Sequence, residues 1–208
     1  MVYETLVSLE YKYTKKWSFT VWQEADSISD INDLLVPDNS HRINPALIVS
    51  IDKNSIAEEL GFEAGDAILS INGKKPRDLI DYQILINEEI LEISVIDKLE
   101  KTHVITIEKD QDTNLGINFK DALFDSLKQC NNKCPFCFID QQPLGKRETL
   151  YIKDDDYRLS FLYGSYLTLT NLKATDWERI LVQKLSPLYI SIHSTDLDIR
   201  ERLLKNKK

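Results

Sequence analysis

The stretch "SIAEELGFEAGDAILSINGK", residues 55–74, decides how the first half of the chain folds. Ser55-Ile56-Ala57-Glu58 has the Ser-x-x-Glu spacing of a capping box, in which the hydroxyl accepts a backbone N–H and the carboxylate reaches back to another. That spacing predicts a helix of one to two turns, with Gly61 free to end it in the left-handed conformation. Ala67 to Ile71 then reads as a strand, and Asn72-Gly73 is the dipeptide that best marks a two-residue hairpin turn.

Working outward, Ala46 to Ile51 is a short apolar strand ahead of this stretch, and Arg77 to Ile86 reads as a helix after it. "LEISVID" (91–97) and "THVITIEKD" (102–110) alternate as paired strands around the polar "KLEK". This order of elements resembles a PDZ domain over roughly residues 46–119. The resemblance implies a module that adds a peptide strand to its sheet edge. A Gly-Leu-Gly-Phe-like loop would hold the peptide carboxylate on backbone N–H groups. No such loop precedes Ala46, but "NLGINF" (114–119) follows the last strand and is similar to it. The reading is a permuted PDZ-like domain over 46–120, with Leu115, Gly116 and Ile117 at the carboxylate pocket. The alternative is that "NLGINF" is only a closing strand.

Residues 1–45 read as an extension and linker. Val7, Leu9, Tyr11 and Tyr13 share one parity, continued by Trp17, Phe19 and Val21, which is a strand or hairpin signal. "QEADSISDINDLLVPDNSHRINP" (23–45) is a polar, acidic connector with no assigned chemistry. The chain carries a net charge of −8 with a pI of about 5.0, which argues against a nucleic-acid or anionic-membrane partner. No apolar run approaches the ~20 residues of a membrane helix. The N-terminus lacks the basic start and apolar core of a signal peptide, so the expected setting is cytoplasmic.

All three cysteines lie within "QCNNKCPFCFID" (129–140), at Cys130, Cys134 and Cys137. A clustered odd set in a cytoplasmic chain points to metal or redox chemistry rather than disulfides. Thiolates select zinc, copper(I) or iron–sulfur clusters. Three on one loop can hold three corners of a [4Fe–4S] cluster and leave the fourth iron open. A Cys3His zinc site with His193 or His103 as fourth ligand is the rival reading.

The C-x3-C-x2-C spacing, with Phe136 before the last cysteine, resembles the radical S-adenosylmethionine (SAM) enzymes. The resemblance implies that the cysteines bind the cluster, that the open iron chelates the methionine part of SAM, and that Phe136 lies near the adenine. It also implies reductive cleavage of SAM to a 5′-deoxyadenosyl radical, fed by an external electron donor. "QCNNKCPFCFIDQQPLGKRETLYIKDDDYRLSFLYGSYLTLTNL" with "LSPLYISIHSTD" is similar to a bacterial family with a prominent cyanobacterial branch. Its members join a PDZ domain, a radical-SAM-like domain and a C-terminal domain of unknown function, and are named as iron–sulfur oxidoreductases. This chain looks like the N-terminal portion.

From Asp121 the pattern is βα, so the expected fold class is α/β and α+β, a PDZ-like domain followed by an incomplete radical-SAM-type (β/α) barrel over 121–208. "ALFDSLKQ" (122–129) leads into the cysteines as a strand or short helix. Asp156 to Tyr163 is a helix stopped by Gly164. "SYLTLTN" (165–171) is a strand, Thr175-Asp176-Trp177-Glu178 caps a helix to about Leu185, and "LYISIHS" (188–194) is another strand. "TDLDIRERLLKNKK" begins a last helix. Barrel chemistry sits at the C-terminal ends of strands, which points to Thr170, Asn171 and His193 as cofactor contacts. Radical SAM enzymes often have Gly-Gly-Glu at the first of these strand ends, where this chain has Thr168-Leu169-Thr170-Asn171. Asp154 and Asp155 read as a solvated helix start, and Gly145 to Arg147 with Lys153 bring positive charge near the cysteines. The residues after Lys120 are too few for a barrel of ~250 residues, so turnover is expected of a longer parent. A non-catalytic PDZ module with a structural metal loop is the alternative function.

Overall fold

The computed structural model describes residues 5–10, 16–22 and 43–207. The acidic connector over 23–42, and Tyr11 and Tyr13, lie outside the described residues. The chain divides into two compact units, Met1–Ser126 and Leu127–Lys208.

The first unit is built on strands β1 (Thr5–Glu10), β2 (Lys16–Trp22), β3 (Ala46–Ile51), β4 (Ala67–Ile71), β5 (Ile90–Ile96), β6 (Thr102–Glu108) and β7 (Ile117–Phe119). They form one antiparallel sheet in the order β1-β2-β6-β5-β4-β3-β7. The hairpin signal near the N-terminus corresponds to β1 and β2, and β2 joins the sheet by pairing Phe19 to Trp22 with β6.

Local chemistry sets these elements. Helix α1 (Ile56–Glu59) starts at Ser55, whose hydroxyl accepts the Glu58 N–H at 3.2 Å. The Glu58 carboxylate returns to the Asn54 N–H at 2.5 Å, one residue earlier than a standard box. Gly61 follows with φ +78°. Asn72 and Gly73 both have positive φ, and Ile71 and Lys74 exchange N–H···O bonds of 2.9 Å around them, as a type I′ turn requires. Helix α2 (Leu79–Leu85) begins at Asp78, which accepts the Asp81 N–H at 2.9 Å.

Alternation in β5 puts Leu91, Ile93 and Val95 in the core and their neighbours outward. These residues meet Ile48, Ile56, Phe62, Ile68, Tyr82, Ile107, Leu115, Ile117 and Phe124 in a single buried cluster. The expected strand or helix over "ALFDSLKQ" is neither. Ala122–Asp125 instead docks on the start of α2, with Leu79 N–H to Ala122 O at 2.9 Å and Phe124 N–H to Arg77 O at 2.8 Å.

The second unit contains a 3-10 turn (Glu148–Tyr151), α3 (Tyr157–Tyr163), β8 (Tyr166–Leu167), α4 (Ala174–Val182), β9 (Tyr189–Ile190) and α5 (Leu197–Leu204). Strands β8 and β9 pair in parallel, Tyr166 with Tyr189 and Leu167 with Ile190, so β8-α4-β9 is a βαβ unit. A barrel is not shown among the described residues. The two strands are shorter than their sequences suggest because Leu169 (φ +63°) and His193 (φ +61°) take left-handed conformations that end the extended runs.

Helix α3 behaves as expected, with Asp156 as N-cap and Gly164 (φ +75°) as its stop. Helix α4 starts two residues earlier than the Thr175 box implies. Lys173 is its N-cap, and Asp176 accepts the Lys173 N–H at 2.8 Å. It also ends sooner, with Lys184 left-handed and the Leu185 N–H returning to Ile180 O at 3.0 Å. Among the described residues no helix is long and apolar enough to cross a membrane.

Candidate functional site

The cysteine loop opens the second unit. Its entry is fixed by a short ladder against the segment before α3: Cys130 N–H donates to Lys153 O at 2.8 Å and Asp155 N–H to Lys128 O at 3.0 Å. A turn closes the loop's far side, where Cys137 N–H meets Cys134 O at 3.1 Å. The Lys153 ammonium crosses to Asp140 at 2.5 Å, so that cation is already paired. All three cysteines are free and half-buried. Burial pushes the Cys130 and Cys134 thiols up, and the neighbouring Asp155 and Cys137 respectively add to it. Without a metal these thiols stay protonated, and metal binding would release the protons.

The ends of both parallel strands reach this loop. Past β8, Thr170 is buried and its hydroxyl lies 3.0 Å from Asn132 Oδ1 and 3.2 Å from Asn131 Oδ1. Asn171 Nδ2 donates to Gln129 O at 3.1 Å and Asp155 O at 2.9 Å. Asn171 Oδ1 is buried and accepts no hydrogen bond from the described residues. Past β9, the exposed His193 ring stands against Phe136 with centroids 5.4 Å apart. The structure therefore brings Phe136, Thr170, Asn171 and His193 to one loop. His103 belongs to the first unit, where Nε2 pairs with Asp97 Oδ2 at 2.9 Å.

Asp155 departs from its expected role. It is 2% exposed, not a solvated helix start. Its carboxylate accepts the Thr168 N–H at 2.5 Å and the Thr168 hydroxyl at 2.7 Å. Asp154, the neighbour, is exposed as expected. Asp156 is buried and held by Arg158 in a two-pronged pair, Nε to Oδ1 at 2.9 Å and Nη2 to Oδ2 at 2.7 Å. Burial alone would raise the Asp156 carboxyl. Arg158 and the Lys128 and Arg158 N–H groups outweigh it and hold the carboxyl below the usual carboxylate range.

Arg200, which sequence reading passed over, donates from α5 to Thr168 O at 2.6 Å and to Ile192 O at 2.5 Å, tying the two strand ends together. Asn132 and Asn206 were also missed. The signal for Asn132 lay in its position between the first two cysteines. Asn206 gave no signal.

The donor set suits an iron–sulfur cluster in kind and number: three thiols on one loop, one short of closing a cubane. Among the described residues no three His, Cys, Asp or Glu side chains converge closely enough to hold an ion as they stand.

In the first unit, β7 is the sheet edge. It pairs with β3 on one side, Ile117 opposite Ile51. Leu115 O accepts the Ala57 N–H at 2.9 Å, and Gly116 O the Asp52 N–H at 2.8 Å. Gly116 (φ +79°) sits so tightly that a Cβ would lie 2.3 Å from Ser55 Cβ. Leu115, Gly116 and Ile117 are all buried. Phe119 stacks edge-on against Tyr82 of α2, with ring centroids 4.7 Å apart, so α2 packs on the core face of the sheet at β7. Among the described residues β7 is thus a closing strand paired on one side, with β3. A separate cavity of about 470 Å³ lies between the α1–β4 turn and the β5–β6 hairpin, lined by Leu60, Phe62, Val95, Leu99 and Ile105.

Residues 47–95 match the family model of the PDZ domain, and residues 109–208 match that of the Radical SAM-like domain. The chain thus contains a PDZ domain and a radical SAM-like domain. The "NLGINF" loop falls inside the second match rather than the first. Comparison with curated proteins finds no match.

Proposed function

We propose that this chain is the PDZ and cluster-binding portion of a cytoplasmic radical-SAM-type iron–sulfur oxidoreductase. The carrying observation is that the C-terminal ends of two parallel strands meet the C-x3-C-x2-C loop, through Thr170 on Asn132 and His193 on Phe136. Function concentrates at such strand ends. The radical SAM-like match over 109–208 supports the same assignment.

In this reading Cys130, Cys134 and Cys137 hold three irons of a [4Fe–4S] cluster. A cluster so held, with SAM at its open iron, supplies one-electron reductive cleavage of SAM, with the electron from an external donor. Phe136 and His193 offer an apolar and a polar surface beside the loop for the adenine. Asn171 Oδ1 is a buried acceptor in want of a donor, so it takes an N–H of the cofactor in place of Gly-Gly-Glu. Thr170, saturated by its neighbours, supports the loop from behind. The PDZ domain, over 46–120, takes a peptide C-terminus along the free edge of β7, with Leu115, Gly116 and Ile117 at the carboxylate end.

Anaerobic reconstitution with iron and sulfide, followed by EPR of the reduced protein, tests this. The expected result is a [4Fe–4S] signal that shifts on adding SAM and is lost in Cys134→Ala. One equivalent of bound zinc and no cluster would assign the loop a structural role and leave a peptide-binding module.

A further inference from the structure

Asn132 sits at the centre of the Cys130–Cys134 span and is 5% exposed. It is the inward anchor of that span. Its Nδ2 donates to Thr168 Oγ1 at 2.9 Å, and its Oδ1 accepts from Asn206 Nδ2 at 2.7 Å. Two backbone bonds flank it, Cys130 N–H to Lys153 O at 2.8 Å and Lys133 N–H to Leu204 O at 3.0 Å.

The direction of this chain of hydrogen bonds is set at Asp155. Both Asp155 carboxylate oxygens accept there, Oδ1 from the Thr168 N–H and Oδ2 from the Thr168 hydroxyl, so the hydroxyl donates to Asp155. Thr168 Oγ1 is then left as an acceptor toward Asn132, which obliges Asn132 to present Nδ2 there and Oδ1 to Asn206. A buried polar network is stable only when every member is satisfied. The carboxylate thereby fixes the orientation of a side chain two links away, inside the cysteine loop. We propose that Asp155 is a positioning residue that sets the conformation of the Cys130–Cys134 span through Thr168 and Asn132. This rests on reading the loop as the cluster site, but the positioning itself concerns the loop and is measurable without a cluster.

The near-isosteric change Asp155→Asn keeps the volume and reverses the polarity. Asn at 155 can turn its amide toward Thr168 Oγ1, whose proton is then free to point at Asn132 or at Thr170 Oγ1, 2.9 Å away. A proton turned toward Asn132 makes that side chain flip and sets its Nδ2 against the Nδ2 of Asn206. The Thr168→Val variant removes the link outright, and Thr168→Ser keeps it.

Amide hydrogen exchange of the apo chain, followed by NMR, reads the effect. Asp155→Asn and Thr168→Val are expected to speed exchange of the Cys130 and Lys133 amides by about tenfold or more, while α4 amides keep wild-type rates. Thr168→Ser is expected to match wild type. Loop amides that exchange at the wild-type rate in Thr168→Val overturn the proposal. So does uniform acceleration across the whole second unit, since that is ordinary destabilisation. After anaerobic reconstitution, Thr168→Val is expected to hold less iron than Thr168→Ser and to show a broadened EPR signal. A wild-type loop that is protected yet takes up no cluster would overturn the functional reading and leave the positioning intact.

Discussion

At Gly116 the backbone is left-handed and a Cβ would overlap Ser55, the N-cap of α1. Gly116→Ala adds the left-handed penalty to an overpacking penalty and is expected to destabilise the first unit by ~2–4 kcal/mol. Chemical denaturation followed by Trp fluorescence and far-UV CD would show it. A second residue-scale effect belongs to Asp156. Its folded carboxyl is held low, so the unfolded state binds the proton first as pH falls. The contribution is fully present above the ordinary carboxylate range of about 4, and it fades as pH drops toward the depressed folded value. Stability of wild type measured between mildly acidic and strongly acidic buffer should fall over that window. Asp156→Asn should flatten this part of the slope, and it should lower stability at neutral pH because Arg158 is left buried without a counter-charge.

Helices and hairpins were legible where a few adjacent residues decide the outcome. Ser55, Asn72-Gly73, Asp156 and Gly164 each satisfy or strain their own backbone, and the elements they bound lie close to where the sequence predicts. Strand lengths in the second unit were not legible. "SYLTLTN" and "LYISIHS" have strand composition, but their last residues answer to distant partners. Thr168 N–H goes to Asp155, and Thr168 O and Ile192 O go to Arg200. The role of Asp155 was hidden for the same reason: three consecutive carboxylates look solvated until a hydroxyl thirteen residues on is seen to bury one of them. The cysteine loop was legible because its chemistry is local in sequence, whereas the contacts that hold it span up to 75 residues.

These long-range contacts make the strand ends an element-scale target. Arg200→Ala strips donors from the half-buried Thr168 carbonyl and the exposed Ile192 carbonyl and should cost about 1–2 kcal/mol of stability in the second unit. The Ser191 amide, which donates to Leu167 O at 2.9 Å, should exchange faster. Arg200→Lys should recover only part of the loss, because one ammonium does not reproduce a planar fork aimed at two carbonyls.

At the scale of the whole molecule, two properties compete. The chain carries a net charge of −8, which keeps copies apart. The second unit nonetheless leaves Leu144, Leu181, Val182 and Leu197 between 73% and 94% exposed. Its sheet has only two strands, with unpaired edges among the described residues. Charge repulsion is screened within roughly 10 Å at 0.1 M salt, whereas apolar contact is not weakened by salt. Self-association is therefore expected to rise with ionic strength. Light scattering or sedimentation across a salt series should show growth in mass. Leu181→Lys and Leu197→Lys should suppress it while moving stability by no more than about 0.5 kcal/mol, the usual range for exposed sites. Association that instead dissolves on adding salt would mean that ion pairs between copies hold it, and the exposed apolar residues would then not be its cause.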